Sequence, residues 1–403
     1  MIRTALAILL LPGCFGLTET PSDDASDGTL PTPTPGPDAR PDDDETGIDG
    51  DSGTQDSGGG ADTGSGDPDD TGTDGPGDSP ASDNPLAGLT LWVDPDSNAA
   101  REAESASGAD AANFRKIAEN PVAKWLGGWS GDVESAVRDA LDEAEADGAT
   151  RAFVVYNLPI RDCGGYSSGG ASDMDEYLAW IDGMAAGVEG RPAVFVIEPD
   201  GLSMMDCLSD TEADERYAMI AYAVETLQAA GGIAYIDAGH SAWHSVDTIS
   251  ERLLAADVGS AAGFALNTSN FETTEDIVAY GEEVSAATGG AHFIADTARN
   301  GLGPTSDHEW CNPDGRALGD PSTLNTGNPV VDALLWIKAP GESDGTCNGG
   351  PSAGTWWPEY ALGLASRASW VELPEGWTPP EQSNPTPPPS SSRSPKVQSP
   401  KMV

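Results

Sequence analysis

Short runs of β-branched and other apolar residues alternate with longer stretches of helical periodicity through the middle of this chain of 403 residues. The short runs predict strands at residues 90–93, 151–155, 193–197, 232–236, 263–266, 291–295 and 333–337. The stretches between them predict helices at residues 132–147, 174–187, 212–230, 245–256 and 274–288. Strand and helix repeated in this order predict an α/β fold with a parallel sheet of about seven strands, open or closed into a TIM-like barrel.

Polar residues collect just past the predicted strand ends. They include Tyr156, Arg161, Asp162, Glu198, Asp200, Asp237, His240, Asn267, Asn270, Asp296, Arg299, Lys338, Glu342 and Asp344. The carboxyl ends of parallel barrel strands share one face, and chemistry collects there, so this pattern favours a nearly closed barrel with an acidic cleft. One such carboxylate alone is more often a helix N-cap. Their recurrence at equivalent places favours a site.

The two ends of the chain differ in composition from the middle. Residues 15–84 carry 19 acidic residues against one basic residue, with few large apolar side chains, and predict a disordered linker rich in Asp, Gly, Thr and Pro. Residues 374–403 are rich in Pro and Ser and predict a second disordered tail. Residues 85–373 remain for one folded domain with a single core.

The charge of the chain excludes one class of partner. With 67 acidic and 19 basic residues the net charge is −48, which rules out nucleic-acid binding by counterion release from Lys and Arg. Salt screens repulsion among so many carboxylates, so adaptation to a saline habitat is one interpretation. A genome rich in codons for Asp, Ala and Gly is the other.

The first residues, MIRTALAILLLPGC, indicate export. Residues 1–14 hold one Arg and an apolar run that is too short to span a bilayer, which predicts a signal segment. The tetrapeptide ending at Cys14 resembles the processing site of bacterial lipoproteins, in which the Cys is acylated. We expect a protein at the cell surface or outer membrane as a lipoprotein, or a secreted one. Its only membrane contact would be a lipid on Cys14, and an ordinary secretory peptide is the alternative.

Four further cysteines, Cys163, Cys207, Cys311 and Cys347, contain no C-x-x-C pair, which argues against a zinc knuckle or a redox motif. In an oxidising compartment they predict two disulfides, and three pairings are open. His240 and His244 are four residues apart, but they follow a strand and no HExxH motif is present. We therefore expect neither a metal nor a cofactor.

Several aspartates at one strand-end face suit glycoside hydrolysis, in which one acid protonates the leaving oxygen and a second group activates water or attacks. The tryptophans support a sugar substrate, since the chain has 11 Trp against 7 Phe. Indole faces pack on the apolar faces of sugar rings. Those near the predicted cleft loops are Trp125, Trp129, Trp243, Trp310, Trp356 and Trp357, whereas Trp180 and Trp336 are expected in the core.

Long motifs in a fixed order resemble glycoside hydrolase family 6, the cellulases that invert configuration at the anomeric carbon. They are VVYNLPIRDCGGYSSGG, FVIEPDGLSMMDC, YIDAGHSAW, GFALNTSNF, FIADTARNG, WCNPDGRALG and NTGNPVVDALLWIKAPGESDG. The resemblance covers nearly all of residues 88–368. It implies a glycoside hydrolase catalytic domain at residues 85–373, folded as a distorted, incompletely closed parallel β/α barrel.

The resemblance also implies roles by position. Asp200 matches the general acid, and Asp162 matches the neighbouring carboxylate that keeps this acid protonated or joins a water relay. Asp344 matches the residue proposed as catalytic base. Tyr156 matches a tyrosine that presses on the distorted sugar. We expect substrate contacts from Trp125, Asp237, Trp243, Asn270, Trp310, Lys338 and Glu342, and the family pairs Cys163 with Cys207 and Cys311 with Cys347.

Loop lengths bear on whether cleavage is internal or terminal. Family members that act from chain ends cover the cleft with long loops, whereas here only Gly345 and Thr346 separate Asp344 from Cys347. This indicates an open cleft, and hence an endo-β-1,4-glucanase. We expect it to act as a monomer on amorphous or soluble cellulose. An exo-acting cellobiohydrolase is the alternative enzyme. A surface glucan-binding lipoprotein without catalysis is the alternative from another class, against which the joint presence of Asp162, Asp200 and Asp344 argues.

Overall fold

The structure is a computed structural model that describes residues 84–370. The predicted signal segment at residues 1–14 with Cys14, residues 15–83 of the predicted linker and the tail at residues 374–403 lie outside the described residues. Within the part that is described, no helix combines the length and apolar character needed to cross a membrane.

Seven parallel strands form one sheet in which each strand pairs with the next along the chain. They are β1 (Lys124–Leu126), β2 (Ala152–Val155), β3 (Ala193–Ile197), β4 (Gly232–Asp237), β5 (Gly263–Leu266), β6 (His292–Asp296) and β7 (Val331–Leu335). Between residues 84 and 370, β1 and β7 do not pair as neighbours, and one parallel bridge from Val122 to Trp336 links their ends. The sheet is therefore a curled, incompletely closed barrel, which confirms the predicted fold.

Eight α-helices and three single 3₁₀ turns accompany these strands in the described chain. The α-helices are α1 (Asn98–Ser105), α2 (Gly108–Ala118), α3 (Val133–Ala146), α4 (Met174–Val188), α5 (Asp210–Ala229), α6 (Val246–Ala255), α7 (Thr274–Ala287) and α8 (Pro358–Arg367), and the 3₁₀ turns are Asp162–Gly164, Val258–Ser260 and Cys347–Gly349. Helices α3 to α7 correspond to the five predicted helices. Each begins after a Ser, Thr or Asp whose side chain accepts a backbone N–H of the first turn, which fixes where the helix starts.

The strands are buried on both faces, as expected for a parallel sheet covered by helices. Alternate residues such as Val154, Val196 and Ile294 pack inside the barrel. Their neighbours Phe153 and Phe195 belong to the core outside the sheet and stack with ring centroids 5.4 Å apart. Packing on both faces holds the carboxyl ends of the strands in fixed positions, and the loops that carry polar residues start from these ends.

The first predicted strand, at residues 90–93, is wrong. This segment makes one parallel bridge, between Leu91 and Thr150, and Trp92 packs under the Arg151 guanidinium at 4.5 Å. The first strand of the sheet is instead Lys124–Leu126, which pairs with β2. A strand of three residues has too little periodicity to be recognised, and pairing with its neighbour decides its structure. Helices α1, α2 and α8 were also not predicted.

Candidate active site

A cleft of about 1140 Å³ is lined by residues that follow the carboxyl ends of the strands, and it extends to Lys124 and Arg151 at the amino ends of β1 and β2. It is lined by the residues predicted to be catalytic, Tyr156, Asp162, Asp200 and Asp344, and by Trp125, Trp243, Asn270, Trp310, Lys338 and Glu342 from the predicted substrate-binding set. Asp237 is not among the lining residues, since it is 1% exposed beneath Asp200. The fold thus brings together side chains that are up to 219 residues apart in sequence, from Trp125 to Asp344.

Tyr156 directly follows β2 and is held from two sides. The Arg161 guanidinium lies 4.3 Å from the centre of the Tyr156 ring and donates to the Tyr156 carbonyl oxygen at 2.6 Å. The Trp125 ring meets the same phenol edge-on at a centroid distance of 5.3 Å. Burial, followed by the nearby Asp200 and Asp162, raises the pKa of Tyr156, so the phenol stays neutral. It is a fixed, uncharged wall of the cleft.

Asp162 lies in the loop after β2, in a backbone conformation that is unusual for residues other than glycine. Asp162 and Cys163 have φ values of 55° and 45°, in the left-handed region. The Ser167 N–H donates to the Asp162 carboxyl at 2.6 Å, so a hydrogen bond from the backbone of the same loop fixes the position of this side chain. A disulfide joins Cys163 to Cys207, beyond the loop of Asp200. Such backbone strain persists where the surroundings enforce it and is common at functional sites.

Glu198 ties the ends of β2 and β3 together. Its buried carboxyl accepts hydrogen bonds from the Asn157 N–H at 2.9 Å and the Leu158 N–H at 3.2 Å. Burial raises the pKa of Glu198 to about 7, and these backbone hydrogen bonds oppose the rise. The two loops that carry Asp162 and Asp200 are therefore linked twice, by this carboxyl and by the disulfide.

The Asp200 carboxyl is buried beside two other carboxyl groups. Burial, and then the neighbouring Asp237 and Asp162, raise the pKa of Asp200 to about 8, while a hydrogen bond with Tyr156 opposes the rise. Beneath it, Asp237 accepts the Asp200 backbone N–H at 3.1 Å and the Gly239 N–H at 3.1 Å. Burial also raises the pKa of Asp237 to about 7. At neutral pH Asp200 therefore keeps its proton and can donate it.

Asp344 has the opposite surroundings. Its two carboxylate oxygens contact the Arg299 guanidinium at 2.7 Å and the Lys338 ammonium at 3.2 Å, and the Asn312 N–H donates to it at 3.0 Å. Burial alone would raise its pKa, but these two cations hold the pKa of Asp344 below its usual range. Between the two pKa values, and so at neutral pH, Asp344 is ionised while Asp200 is protonated.

The supports of Asp344 are themselves braced. The Arg299 guanidinium packs 4.4 Å from the centre of the Phe271 ring and also donates to the Ser269 carbonyl oxygen. Asn312 accepts the Asp344 N–H at 2.8 Å and donates to the Gly345 carbonyl oxygen at 2.8 Å. The second disulfide joins Cys311 to Cys347 in the same two loops, so both predicted cysteine pairings are confirmed.

Indole rings are spread along the cleft. Trp125 donates its ring N–H to the Ile337 carbonyl oxygen at 2.9 Å, which fixes the ring face. Trp243 lies 5.5 Å from the His240 ring, and Trp310, 46% exposed, lies 5.9 Å from the Tyr166 ring. Flat apolar faces of this kind are suited to packing against sugar rings, with polar groups between them for the hydroxyls.

The histidines do not form a metal site. His240 faces Glu272 with its Nδ1 3.8 Å from the carboxylate, and the Nε2 of His244 contacts the Ser203 carbonyl oxygen at 2.8 Å. Over residues 84–370, no group of three or more His, Cys, Asp and Glu side chains is placed to hold a metal ion.

Sequence reasoning gave no role to Glu198, Arg161, Arg299 or Asn312, which hold the site together. Glu198 in IEPD, Arg161 in RDC and Arg299 in ADTARNG each lie just past a predicted strand. That position is the same signal that pointed to the aspartates, and it could have indicated these residues too. Asn312 contacts Asp344 across 32 residues of chain, and no local pattern indicates that contact.

A protonated aspartic acid and an ion-paired aspartate in one long cleft lined by tryptophans are typical of glycoside hydrolases. The family model described as glycosyl hydrolases family 6 matches residues 86–368. The chain belongs to this family, which confirms the resemblance found in its motifs.

Similar proteins bear endoglucanase names. The chain is 47% identical over 284 residues to Endoglucanase A of Cellulomonas fimi, a match that covers 70% of this chain and 62% of that protein. It therefore spans less than two thirds of that relative's length. It is 40% identical over 283 residues to Endoglucanase 1 of Streptomyces halstedii, a match that covers 67% of this chain and 87% of that protein. Among solved structures, the chain is similar to the endoglucanase Cel6 from Mycobacterium tuberculosis, which was solved in complex with methyl-cellobiosyl-4-deoxy-4-thio-β-D-cellobioside. The two superpose with a TM-score of 0.68 at 44% identity, and the match covers 70% of this chain and 98% of that one.

Proposed function

We propose that this protein is an exported endo-β-1,4-glucanase that hydrolyses internal bonds of amorphous or soluble cellulose with inversion. The observation that carries the proposal is the opposite charge state of two aspartates in one cleft, Asp200 protonated and Asp344 ionised. The relatives named endoglucanase and the cellobioside complex of a similar structure support the substrate class.

In the proposed reaction, Asp200 gives its proton to the glycosidic oxygen as the bond to the anomeric carbon breaks. A water molecule attacks that carbon from the opposite face, and its hydroxyl stays on the sugar with inverted configuration. The charge on Asp344 stabilises the positive charge that develops on the ring. Its two ion pairs make it a weak base, so we assign Asp162 to share the uptake of the water proton through a relay.

The other residues position the substrate. Tyr156, fixed by Arg161 and Trp125, presses the sugar towards the distorted shape of the transition state. Trp125, Trp243 and Trp310 hold ring faces along the cleft, and Asn270, Lys338 and Glu342 offer hydrogen bonds. Asp237 lies beneath the cleft, so we assign it to hold the Asp200 backbone and proton rather than to contact the sugar.

Endo action is supported by the short loops and by exposed rings such as Trp129, 59% exposed, at the cleft. One observation favours the exo-acting alternative. The ring of Tyr166, in the loop after β2, lies 5.9 Å from the ring of Trp310, in the loop before β7, so two loops that line the cleft approach each other.

Carboxymethylcellulose separates these candidates. An endo enzyme lowers viscosity far ahead of the release of reducing ends, whereas an exo enzyme releases reducing ends with little loss of viscosity. A binding protein without catalysis would change neither, while still being retained on amorphous cellulose. NMR of the fresh products should show the α-anomer first, and β-configured product would contradict inversion.

Export and anchoring are separate parts of the proposal, supported by the apolar run before Cys14. We expect the full chain, expressed in a bacterium, to partition with membranes and to incorporate labelled fatty acid. Cys14→Ala should abolish the label. An unlabelled wild type recovered in the medium would favour the simple secreted form.

A further inference from the structure

Arg216 of α5 contacts two loops of the site: the loop after β2 with Asp162, here called the β2 loop, and the loop after β3 with Asp200, here called the β3 loop. The arginine is 2% exposed and does not line the cleft. A capping box fixes the start of α5, since the side chains of Ser209 and Glu212 each accept the backbone N–H of the other. This cap sets the position from which the buried guanidinium reaches its partners.

The guanidinium of Arg216 is shared between the two loops. Its Nη2 donates to the carbonyl oxygens of Pro159 at 2.9 Å and Ile160 at 3.2 Å, both in the β2 loop. Its Nη1 donates to the carbonyl oxygens of Gly201 at 3.3 Å and Met204 at 3.1 Å, both in the β3 loop. Because the guanidinium is planar and rigid, it fixes the distance between the two loops.

Arg216 and Glu198 hold opposite polar groups of one backbone segment, residues 157–160. The Glu198 carboxyl accepts the N–H groups of Asn157 and Leu158, and the guanidinium binds the carbonyl oxygens of the next two residues. Burial lowers the pKa of Arg216, and the charge of Glu198 opposes that change. Hydrogen bonds to charged groups are stronger than those between neutral groups, so this segment is held firmly from both sides.

The loops that Arg216 joins have an unfavourable backbone close to the reacting groups. Ile160 and Asp162 of the β2 loop have φ values of 54° and 55°, and Glu198 and Asp200 of the β3 loop have φ values of 51° and 67°. Left-handed backbone at residues other than glycine persists only where the surroundings enforce it. Without the guanidinium, both loops could relax, and their carboxyl groups would shift relative to each other.

We propose that Arg216 is a positioning residue for proton transfer, because it holds the two loops together and so keeps Asp200 beside Asp162 and within reach of the glycosidic oxygen. This inference rests on the proposed function, in which Asp200 is the general acid. Misplacement of a reacting group by about 1 Å can lower the rate by about 10²-fold. Arg216 therefore acts on kcat rather than on substrate binding.

Arg216→Lys tests this role, because an ammonium keeps the charge but lacks the planar fork that reaches both loops. We expect kcat on carboxymethylcellulose to fall by about 10-fold to 100-fold with little change in KM. An aryl cellobioside with an activated leaving group needs little protonation and should lose less than about threefold. Equal losses on both substrates would indicate a purely structural role and overturn the proposal, as would an unchanged kcat.

The matched control is Arg191→Lys. Arg191 also donates to two backbone carbonyl oxygens, those of Val188 and Gly187, but it lies outside the cleft. Both activities should be retained in this variant. A loss on carboxymethylcellulose alone would show that the difference between substrates is not specific to Arg216, and would overturn the proposal.

Arg216→Ala allows chemical rescue. Added methylguanidinium should restore part of kcat on carboxymethylcellulose in this variant and should leave Arg191→Ala unchanged. If neither Arg216→Ala nor Arg216→Lys folds, even with methylguanidinium present, Arg216 serves the fold alone and the proposal is overturned.

Amide hydrogen exchange separates this inference from the proposed function. Residues 157–168 and 198–208 should exchange faster in Arg216→Lys than in the wild type, but not in Arg191→Lys. If the wild type cleaves neither substrate and exchange still accelerates in both segments, the proposed function fails and the link between the loops stands. If Asp200→Asn separates the two substrates and Arg216→Lys does not, the proposed function stands and the role of Arg216 is overturned.

Discussion

Asp200 and Asp344 are chemically identical side chains in one cleft, held in contrasting surroundings. Around Asp200 the nearest titratable groups are acidic, Asp237 and Asp162, and burial raises its pKa to about 8. Around Asp344 they are Arg299 and Lys338, which keep its pKa below the usual range although it is buried. Burial is therefore common to both aspartates, and the sign of the neighbouring charge decides which one carries a proton.

The comparison explains how one residue type serves as proton donor and as permanent charge at the same pH. Groups whose surroundings push their pKa values apart mark the acid and its partner. The loops differ as well. Glu198 and a disulfide tie the Asp200 loop to that of Asp162, whereas Asn312 and the other disulfide brace Asp344.

The largest effect should come from removing the proton donor. Asp200→Asn should lower kcat on carboxymethylcellulose by about 10³-fold, since general acid catalysis contributes about 10²–10⁴-fold. An aryl cellobioside with an activated leaving group needs little protonation and should lose far less. Asp206→Asn, at a highly exposed aspartate of the same loop, is the matched control and should retain activity. Equal losses on both substrates would remove Asp200 from the acid role.

Removing the cation beside Asp344 should be the next largest change. Arg299→Met leaves a buried carboxylate short of its partner and should lower the free energy of unfolding by about 3–5 kcal/mol in urea titrations. Arg138→Met, which breaks an exposed pair with Glu134, should cost less than about 1 kcal/mol. The double variant Arg299→Met with Asp344→Asn should regain part of the loss. A single variant as stable as the wild type would show that the pair is not needed.

The pH dependence of stability follows from the acidic side. The pKa values of Asp200, Asp237 and Glu198, at about 8, 7 and 7, lie above the unfolded values of about 4, so the native state binds more protons. Their contribution is complete below pH 4 and is lost as the pH rises towards 8, by up to about 1.4 kcal/mol per pH unit for each group. Asp344 acts in the opposite direction at lower pH. Unfolding measured from pH 5 to 8 should show falling stability, and a rise would contradict these assignments.

A smaller effect should separate Asp237 from its neighbour. Asp237→Asn removes a carboxyl that raises the pKa of Asp200, so the alkaline limb of kcat/KM should move to lower pH. Activity at pH 8 then falls by up to about tenfold for each unit of that shift, with little change at pH 5. Asp182→Asn, a solvent-exposed partner of Tyr222, serves as the control. An unshifted limb would show that Asp237 only supports the backbone.

Much of the fold could be predicted because its long elements are strongly periodic. Helices α3 to α7 and strands β2 to β7 lie close to their predicted positions. The strand β1 could not be found, since KWL is three residues long and becomes a strand by pairing with β2. Helix α8 was not predicted, since Trp356 and Trp357 were assigned to cleft loops, yet Pro358 begins this helix and proline is well suited to a first helical turn.

For the site, the motifs indicate where each residue lies along the chain but not how deeply its side chain is buried. The motifs placed Asp162, Asp200 and Asp344 at strand ends, and all three line the cleft. Asp237 looked equivalent, yet it lies beneath Asp200, because packing of the β4 end decides how far a side chain is covered. The ion pairs of Asp344 depend on contacts across many residues, which a linear pattern does not encode.

The single bridge between Val122 and Trp336 leaves a seam down one side of the barrel. Every other junction between strands carries a ladder of hydrogen bonds, so amide hydrogen exchange should begin at this seam and spread from it. Trp125 borders the same seam, since its ring N–H donates to the Ile337 carbonyl oxygen on the β7 side. A glucan packed on Trp125, as proposed, would therefore lie against the weakest junction of the barrel, and hydrogen exchange there should slow when substrate is bound.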